Sequence, residues 1–153
     1  MLTDFVKSIP PEKETMKAEL AVEREKLASA SMKIKAAKLP VMVIFEGWGS
    51  AGKGSVIASV IKNIDPRFFE VATTNAEPTE EEKRKPFLYR YFIEIPEAGK
   101  FKFFDTCWMQ EVTDGVIYGT LSEKDYERRI NSIHTTERQL TDNGYLVMKF
   151  FFN

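Results

Sequence analysis

At 153 residues the chain suffices for one domain that buries about two thirds of its unfolded surface. Hydrophobic residues make up 43% and charged residues 29%, and the net charge of −1 gives no overall pull toward nucleic acid or an anionic membrane, so a polyanion must be met by a local patch. The single cysteine, Cys107, excludes an internal disulfide and fits a reducing cytoplasm. No stretch reaches the roughly 20 apolar residues of a membrane span or forms the apolar core of a signal peptide. These features predict a cytoplasmic protein with neither nucleic acid nor membrane as partner.

Met1 to Pro11 is a short leading segment closed by Pro10-Pro11. Glu12 to Lys38 reads as a helix with Met16, Leu20, Leu27 and Ile34 on one narrow stripe. The seven-residue spacing of Leu20, Leu27 and Ile34 would also suit a coiled coil, but a helix covering its own domain is the preferred reading. Residues 1–40 are therefore expected to be an N-terminal helical segment and 41–153 the domain proper.

The domain opens on Val41 to Ile57, VMVIFEGWGSAGKGSVI. Five apolar residues form a strand, and Gly47 with Gly52-Lys53 has the G-x-x-x-x-G-K spacing of a phosphate loop leading into a helix. In such a loop the backbone N–H groups of Gly47, Gly49, Ser50, Ala51, Gly52, Lys53, Gly54 and Ser55 are candidates to wrap phosphate oxygens. The Lys53 ammonium and the positive end of the following helix add attraction. One departure stands inside the motif: the Mg²⁺-holding hydroxyl expected after the lysine is replaced by Gly54, and Ser55 comes one residue late.

The helix after the loop is expected over Lys53 to Ile64, with Val56, Ile57, Val60, Ile61 and Ile64 facing the core, until Asp65-Pro66-Arg67 breaks it. Phe68 to Thr74 reads as a second strand. Thr79 with Glu82 forms a capping box that opens a helix running through Lys83, Arg84, Lys85, Phe87, Leu88, Tyr89, Arg90 and Tyr91 to near Pro96. Its interleaved cations and aromatics suit either a solvated face over an aromatic core or an anion-binding surface. Lys100 to Phe104 is a third strand that delivers Asp105 to its C-terminal edge, the position of a metal-organising carboxylate. Cys107 reads as a small packing residue. Ser122 to Thr141 is a long helix closed by Asp142-Asn143-Gly144, with His134 in a structural role, and Tyr145 to Phe152 is a fourth, buried strand. The alternation predicts an α/β fold, a parallel sheet with helices on both faces. The chain stops on a strand, without the lid and further helix expected of a P-loop kinase, which predicts part of a larger unit.

Several stretches together resemble the family-2 polyphosphate kinases, P-loop enzymes related in fold to thymidylate kinase. They are Phe45 to Trp48, Ala51 to Gly54, Asp65 to Arg67, Pro78 to Glu82, Pro86 to Tyr91, Phe104-Asp105 with Trp108, and Glu137 to Gly144 with Lys149 to Phe151. The nearest subgroup is the polyphosphate:AMP phosphotransferases, whose chains carry two such domains. The resemblance implies Mg²⁺-dependent phosphoryl transfer between inorganic polyphosphate and AMP or ADP. Lys53 and Asp105 would be catalytic, Asp105 would hold the metal, and Lys83, Arg84, Lys85 and Arg90 would line the polyphosphate path. Partners would be a second copy or a second kinase domain. The chain departs from the family where an aspartate is usual and Gly49 stands, where Arg-Ser-Trp-Tyr is usual and Thr106-Cys107-Trp108-Met109 stands, and at Asn153. The alternative is thus a non-catalytic half-domain supporting an active partner. An ATP-dependent small-molecule kinase is a third, less favoured reading.

Overall fold

The computed structural model describes residues 12–74 and 77–152; the leading segment Met1 to Pro11 and Asn153 lie outside them. In chain order the elements are α1 (Lys13–Ala36), β1 (Val41–Gly47), α2 (Lys53–Ile61), β2 (Phe69–Thr73), α3 (Glu80–Lys83), α4 (Tyr89–Phe92), β3 (Phe101–Asp105), α5 (Trp108–Ile117), α6 (Glu123–Asp142) and β4 (Leu146–Phe152). The four strands form one parallel sheet in the order β2-β3-β1-β4.

β1 is buried along its whole length because it is covered on both faces, which is why its sequence is a continuous apolar run and does not alternate. Val41, Val43 and Phe45 point to one face with Phe101 and Phe103, against Ile57 of α2, Ile64, Phe68 and the Leu27 and Ile34 side of α1. Met42 and Ile44 point to the other with Phe104, against Trp108 and Val112 of α5, Ile133 and Leu140 of α6, and Leu88 and Tyr91. The result is three layers with the sheet in the middle. The β1 connection leaves over one face toward β2, and the β3 connection leaves over the other toward β4. A crevice therefore opens between the C-terminal ends of β1 and β3.

Four sequence expectations need correction. The helix read from Thr79 to near Pro96 is two four-residue turns, α3 and α4; the capping box is present, but Pro86 lacks an N–H and disfavours helix at Lys85. Strand β4 is an exposed edge and not a buried strand, with Phe151 60% exposed. α1 covers the domain only with its C-terminal half, since Met16 and Leu20 are exposed. α2 stops at Ile61, short of the expected Ile64, and leaves Val56 at the surface. The sequence reading missed α5 altogether. Its β-branched residues Val112, Thr113, Val116 and Ile117 and its Gly115 lower helix propensity, and packing of Trp108 and Val112 overrides it.

Candidate functional site

Strand β1 hands the chain to the phosphate loop through Gly47, whose φ is +127° and whose position leaves no room for a side chain: a Cβ would stand 1.9 Å from the Phe152 carbonyl oxygen. The loop then turns through Ser50, in the left-handed region at φ 63°, and through Gly52 at φ 87°, the N-cap of α2. No side chain caps α2. Among the described residues the N–H groups of Gly49, Ser50, Gly52, Lys53, Gly54 and Ser55 have no protein acceptor, so they converge unsatisfied at the positive end of a helix. The Lys53 ammonium is folded over the loop, donating to the carbonyls of Gly47 and Trp48 at 2.9 and 3.0 Å. An arriving phosphate would compete for the same donor.

Asp105 ends β3 directly beside this loop, in register with Phe45 of β1. A Cβ on Gly54 would lie 3.4 Å from Asp105 Oδ2, so the residue that looked anomalous after the lysine is the one against which the carboxylate rests. Thr106 follows in the left-handed region, at φ 76°, an uncommon conformation for a β-branched residue. Its N–H donates to the Phe45 carbonyl at 3.0 Å, and its carbonyl accepts from Thr74 Oγ1 at 2.7 Å. These two bonds hold the strained turn that aims Asp105 across the crevice.

The far wall is α5, whose first turn is tied to the end of β1 through Glu46 and Gln110. Glu46 Oε1 accepts from the Met109 N–H at 3.2 Å, serving as the acceptor that the N-cap Cys107 does not supply. Burial pushes the Glu46 carboxyl up to about 7, against the lowering effect of the Met109 and Gln110 N–H groups and Lys149. Gln110 Oε1 accepts a long 3.4 Å bond from Gly47 N–H, while Gln110 Nε2 donates to Asp114 at 2.7 Å. Glu111 is gripped by Tyr91 Oη at 3.0 Å and by Arg129 of α6 at 2.8 Å. Burial, and then the Glu111 carboxylate, push the Tyr91 hydroxyl well above its ordinary value. Cys107 is fully buried and burial raises its thiol, in keeping with a packing role.

Loop, Asp105, α4 and α5 enclose a cleft of about 1200 Å³. The candidates Gly47, Gly49, Ser50, Ala51, Gly52, Lys53, Gly54, Ser55, Asp105 and Arg90 all line it. Lys83, Arg84 and Lys85 do not; Lys83 pairs with Glu80 at 2.8 Å and Lys85 with Glu81 at 3.2 Å on the outer surface. Arg90 is set 3.8 Å from Glu82, with a side chain only 10% exposed. His134 is on the exposed side of α6. The sequence reading missed Gln110, Glu111, Asp114 and Arg129. The first three follow from α5 once Trp108 and Val112, four apart, are taken as its buried stripe; Arg129 is located only by packing.

The family profile of Polyphosphate kinase 2 (PPK2) matches residues 11–153. The chain belongs to the polyphosphate kinase 2 family. It is 37% identical to a polyphosphate:AMP phosphotransferase of Pseudomonas syringae pv. tomato over 91% of its length, which is 28% of that relative. An ADP-polyphosphate phosphotransferase of Rhizobium meliloti is 30% identical over 88% of this chain and 47% of its own. A crystal structure from Pseudomonas aeruginosa PA01 described as a polyphosphate kinase 2 superposes with a TM-score of 0.92 at 32% identity, over 99% of this chain and 32% of that one. The chain thus spans about 28% to 47% of these polyphosphate kinase 2 relatives' lengths. The fold is that of a P-loop kinase, with the order β2-β3-β1-β4 placing loop and carboxylate on adjacent central strands. Among the described residues no helix is long and apolar enough to cross a membrane.

Proposed function

We propose that this polyphosphate kinase 2 chain binds inorganic polyphosphate and a nucleoside mono- or diphosphate and moves a phosphoryl group between them. In that transfer the terminal P–O–P bond of one chain breaks and an oxygen of the acceptor's phosphate takes the phosphoryl group, with no covalent intermediate on the protein. The observation that carries the reading is the set of six unsatisfied N–H groups at the loop, with Lys53 folded over it and Asp105 on the next strand. Such a site offers positioning and charge stabilisation, which is what phosphoryl transfer needs. The relatives named for AMP and ADP transfer favour this over a non-catalytic supporting half.

Mg²⁺ fits the residues present. No cluster of three or more His, Cys, Asp or Glu side chains that could cage a metal exists among the described residues. Mg²⁺, however, typically takes one or two carboxylates and completes its shell with water and substrate phosphates. Asp105, which lines the cleft together with Ser55, would hold it, and the ion would neutralise phosphate charge. The residues themselves do the rest: the loop amides orient phosphate oxygens, Lys53 follows the charge, and Arg90 and Arg129 face the cleft from the other wall. The cytoplasm is the proposed location, and a second copy or second kinase domain is the proposed partner.

Melting experiments test the binding step. Millimolar tripolyphosphate should raise the melting temperature of the wild type and leave Lys53→Ala unmoved; equal shifts would overturn the reading. Transfer itself is tested by polyphosphate-dependent conversion of AMP to ADP. Because Gly49 and Thr106 stand where the resemblance implies a carboxylate and a guanidinium, the rate expected is well below the order of 1 s⁻¹ of working kinases.

A further inference from the structure

The last three residues of β1 hold the segment that follows β3 at three points. The Phe45 carbonyl takes the Thr106 N–H at 3.0 Å, and the Gly47 N–H reaches Gln110 Oε1 at 3.4 Å. Between them the Glu46 carboxylate takes the Met109 N–H at 3.2 Å, with the Gln110 N–H beside it. This middle contact is made by a buried carboxylate in an otherwise apolar strand. Lys149 of β4 faces it, but that ammonium is held by Glu137 of α6 at 2.8 Å. Burying a carboxylate is unfavourable, and an aliphatic side chain would complete β1 without that penalty. What Glu46 adds is an acceptor for the open end of α5, where the N-cap Cys107 makes no side-chain bond.

Both halves of the site adjoin this junction. Gly47, next to Glu46, opens the phosphate loop, and Asp105 is separated from the first residue of α5 only by Thr106 and Cys107. On its other side α5 is tied to α6, where Trp108 Nε1 donates to Glu137 at 3.1 Å. That bond fixes α5 to α6 and leaves its relation to the loop to the β1 contacts. Glu46 does not line the cleft, so it acts on a ligand only through its neighbours. We infer that Glu46 is a positioning residue: by gripping the first turn of α5 it sets the separation of the phosphate loop from Asp105. Phosphates on the loop amides and a cation on Asp105 are thereby brought together. The acceptor oxygen performs this role and not the charge, since an amide oxygen accepts the same N–H. The inference rests on the phosphotransferase reading and adds to it the group that keeps the two halves of the site in register.

The test measures tripolyphosphate affinity of the intact chain by calorimetry, with and without Mg²⁺, at a temperature where every variant is folded, and follows melting alongside. Glu46→Ala should bind tripolyphosphate alone within about threefold of the wild type, because the loop amides and Lys53 remain, and should lose about tenfold when Mg²⁺ is present. Glu46→Gln should stay within about twofold of the wild type in both conditions. Adding Cys107→Ser to Glu46→Ala separates positioning from stability. A serine at the N-cap supplies α5 with its own acceptor, so the double variant should regain melting temperature without regaining the Mg²⁺-dependent affinity. Recovery of both would make Glu46 an ordinary helix cap and overturn the inference. Mg²⁺-dependent affinity that is unchanged in Glu46→Ala, or lost as fully in Glu46→Gln, would overturn it too. Should Glu46→Ala not fold, Glu46→Leu fills the buried position without an acceptor and carries the same expectations. A wild type that binds tripolyphosphate equally with and without Mg²⁺ would overturn the inference and leave phosphate binding at the loop standing. Failure of the wild type to bind tripolyphosphate at all would sink the phosphotransferase reading and the inference with it.

Discussion

Asp105 Oδ2 lies 3.4 Å from the point where a Cβ on Gly54 would stand, so the residue after the loop lysine is a spacer that leaves the Asp105 carboxylate room beside the loop. Gly54 is in the first turn of α2 without a positive φ, so alanine is conformationally acceptable there and should stabilise the helix by about 0.5 kcal/mol. The added methyl would rest on the carboxylate. Gly54→Ala is therefore expected to melt slightly higher than the wild type while losing most of the extra stabilisation that Mg²⁺ adds to nucleotide binding. An undiminished Mg²⁺ effect in thermal shift would remove the spacer role.

Gly47→Ala should behave in the opposite way. The new Cβ would collide with the Phe152 backbone and occupy a φ of +127°, which L-residues rarely adopt. A loss of about 3 kcal/mol or more is expected in urea unfolding. A loss below 1 kcal/mol would mean that β1 and β4 are less tightly joined at this end than the 1.9 Å approach requires.

Glu46 should make stability depend on pH. Its carboxyl is raised from 4.5 to about 7 in the folded state, because burial disfavours the charged form more than the N–H groups of Met109 and Gln110 and the Lys149 ammonium favour it. The folded chain thus holds a proton that the unfolded chain releases near 4.5. The contribution is fully present below pH 4.5 and is lost as pH rises through 7, a change of about 3 kcal/mol. Glu46→Gln keeps an acceptor for Met109 and has no proton to lose. Its unfolding free energy should be nearly flat over the window in which the wild type declines, and a parallel decline in both proteins would assign the slope to other groups.

The outer cations can be separated from the cleft arginine by ligand length. Lys83→Ala/Arg84→Ala/Lys85→Ala should leave tripolyphosphate affinity within about twofold, since these side chains lie outside the cleft, whereas Arg90→Ala should weaken it about tenfold. If the path of a long polyphosphate crosses α3, the triple variant should show a shallower salt dependence with long chains only. An unchanged slope with long chains would return the three to a solvated, ion-paired face.

The strand, loop and helix from Val41 to Ile57 were legible in the sequence because each is specified locally. An apolar run with no alternation marks a strand buried on both faces, and glycine spacing marks a chain that must turn through positive φ. Asp105 was legible for the same reason, as a polar residue ending an apolar strand. The capping box of Thr79 and Glu82 and the long α6 were likewise written into residues three or four apart.

What only the tertiary structure decided are relations between distant residues. The sequence shows Glu46 as one more residue of β1, but its elevated carboxyl and its bond to Met109 exist only because α5 packs over the sheet. Pro86 divides a helix that the pattern of cations and aromatics made look continuous, and this sends Lys83 and Lys85 outward while Arg90 turns into the cleft. β4 reads as buried from its composition, yet burial belongs to the neighbours a strand has, and on its outer side the described residues supply none. Local chemistry specifies which residues can bind phosphate. The stacking of α5 and α6 on the sheet determines which of them share a cleft, because desolvation and hydrogen-bond geometry depend on distances that sequence separation does not encode.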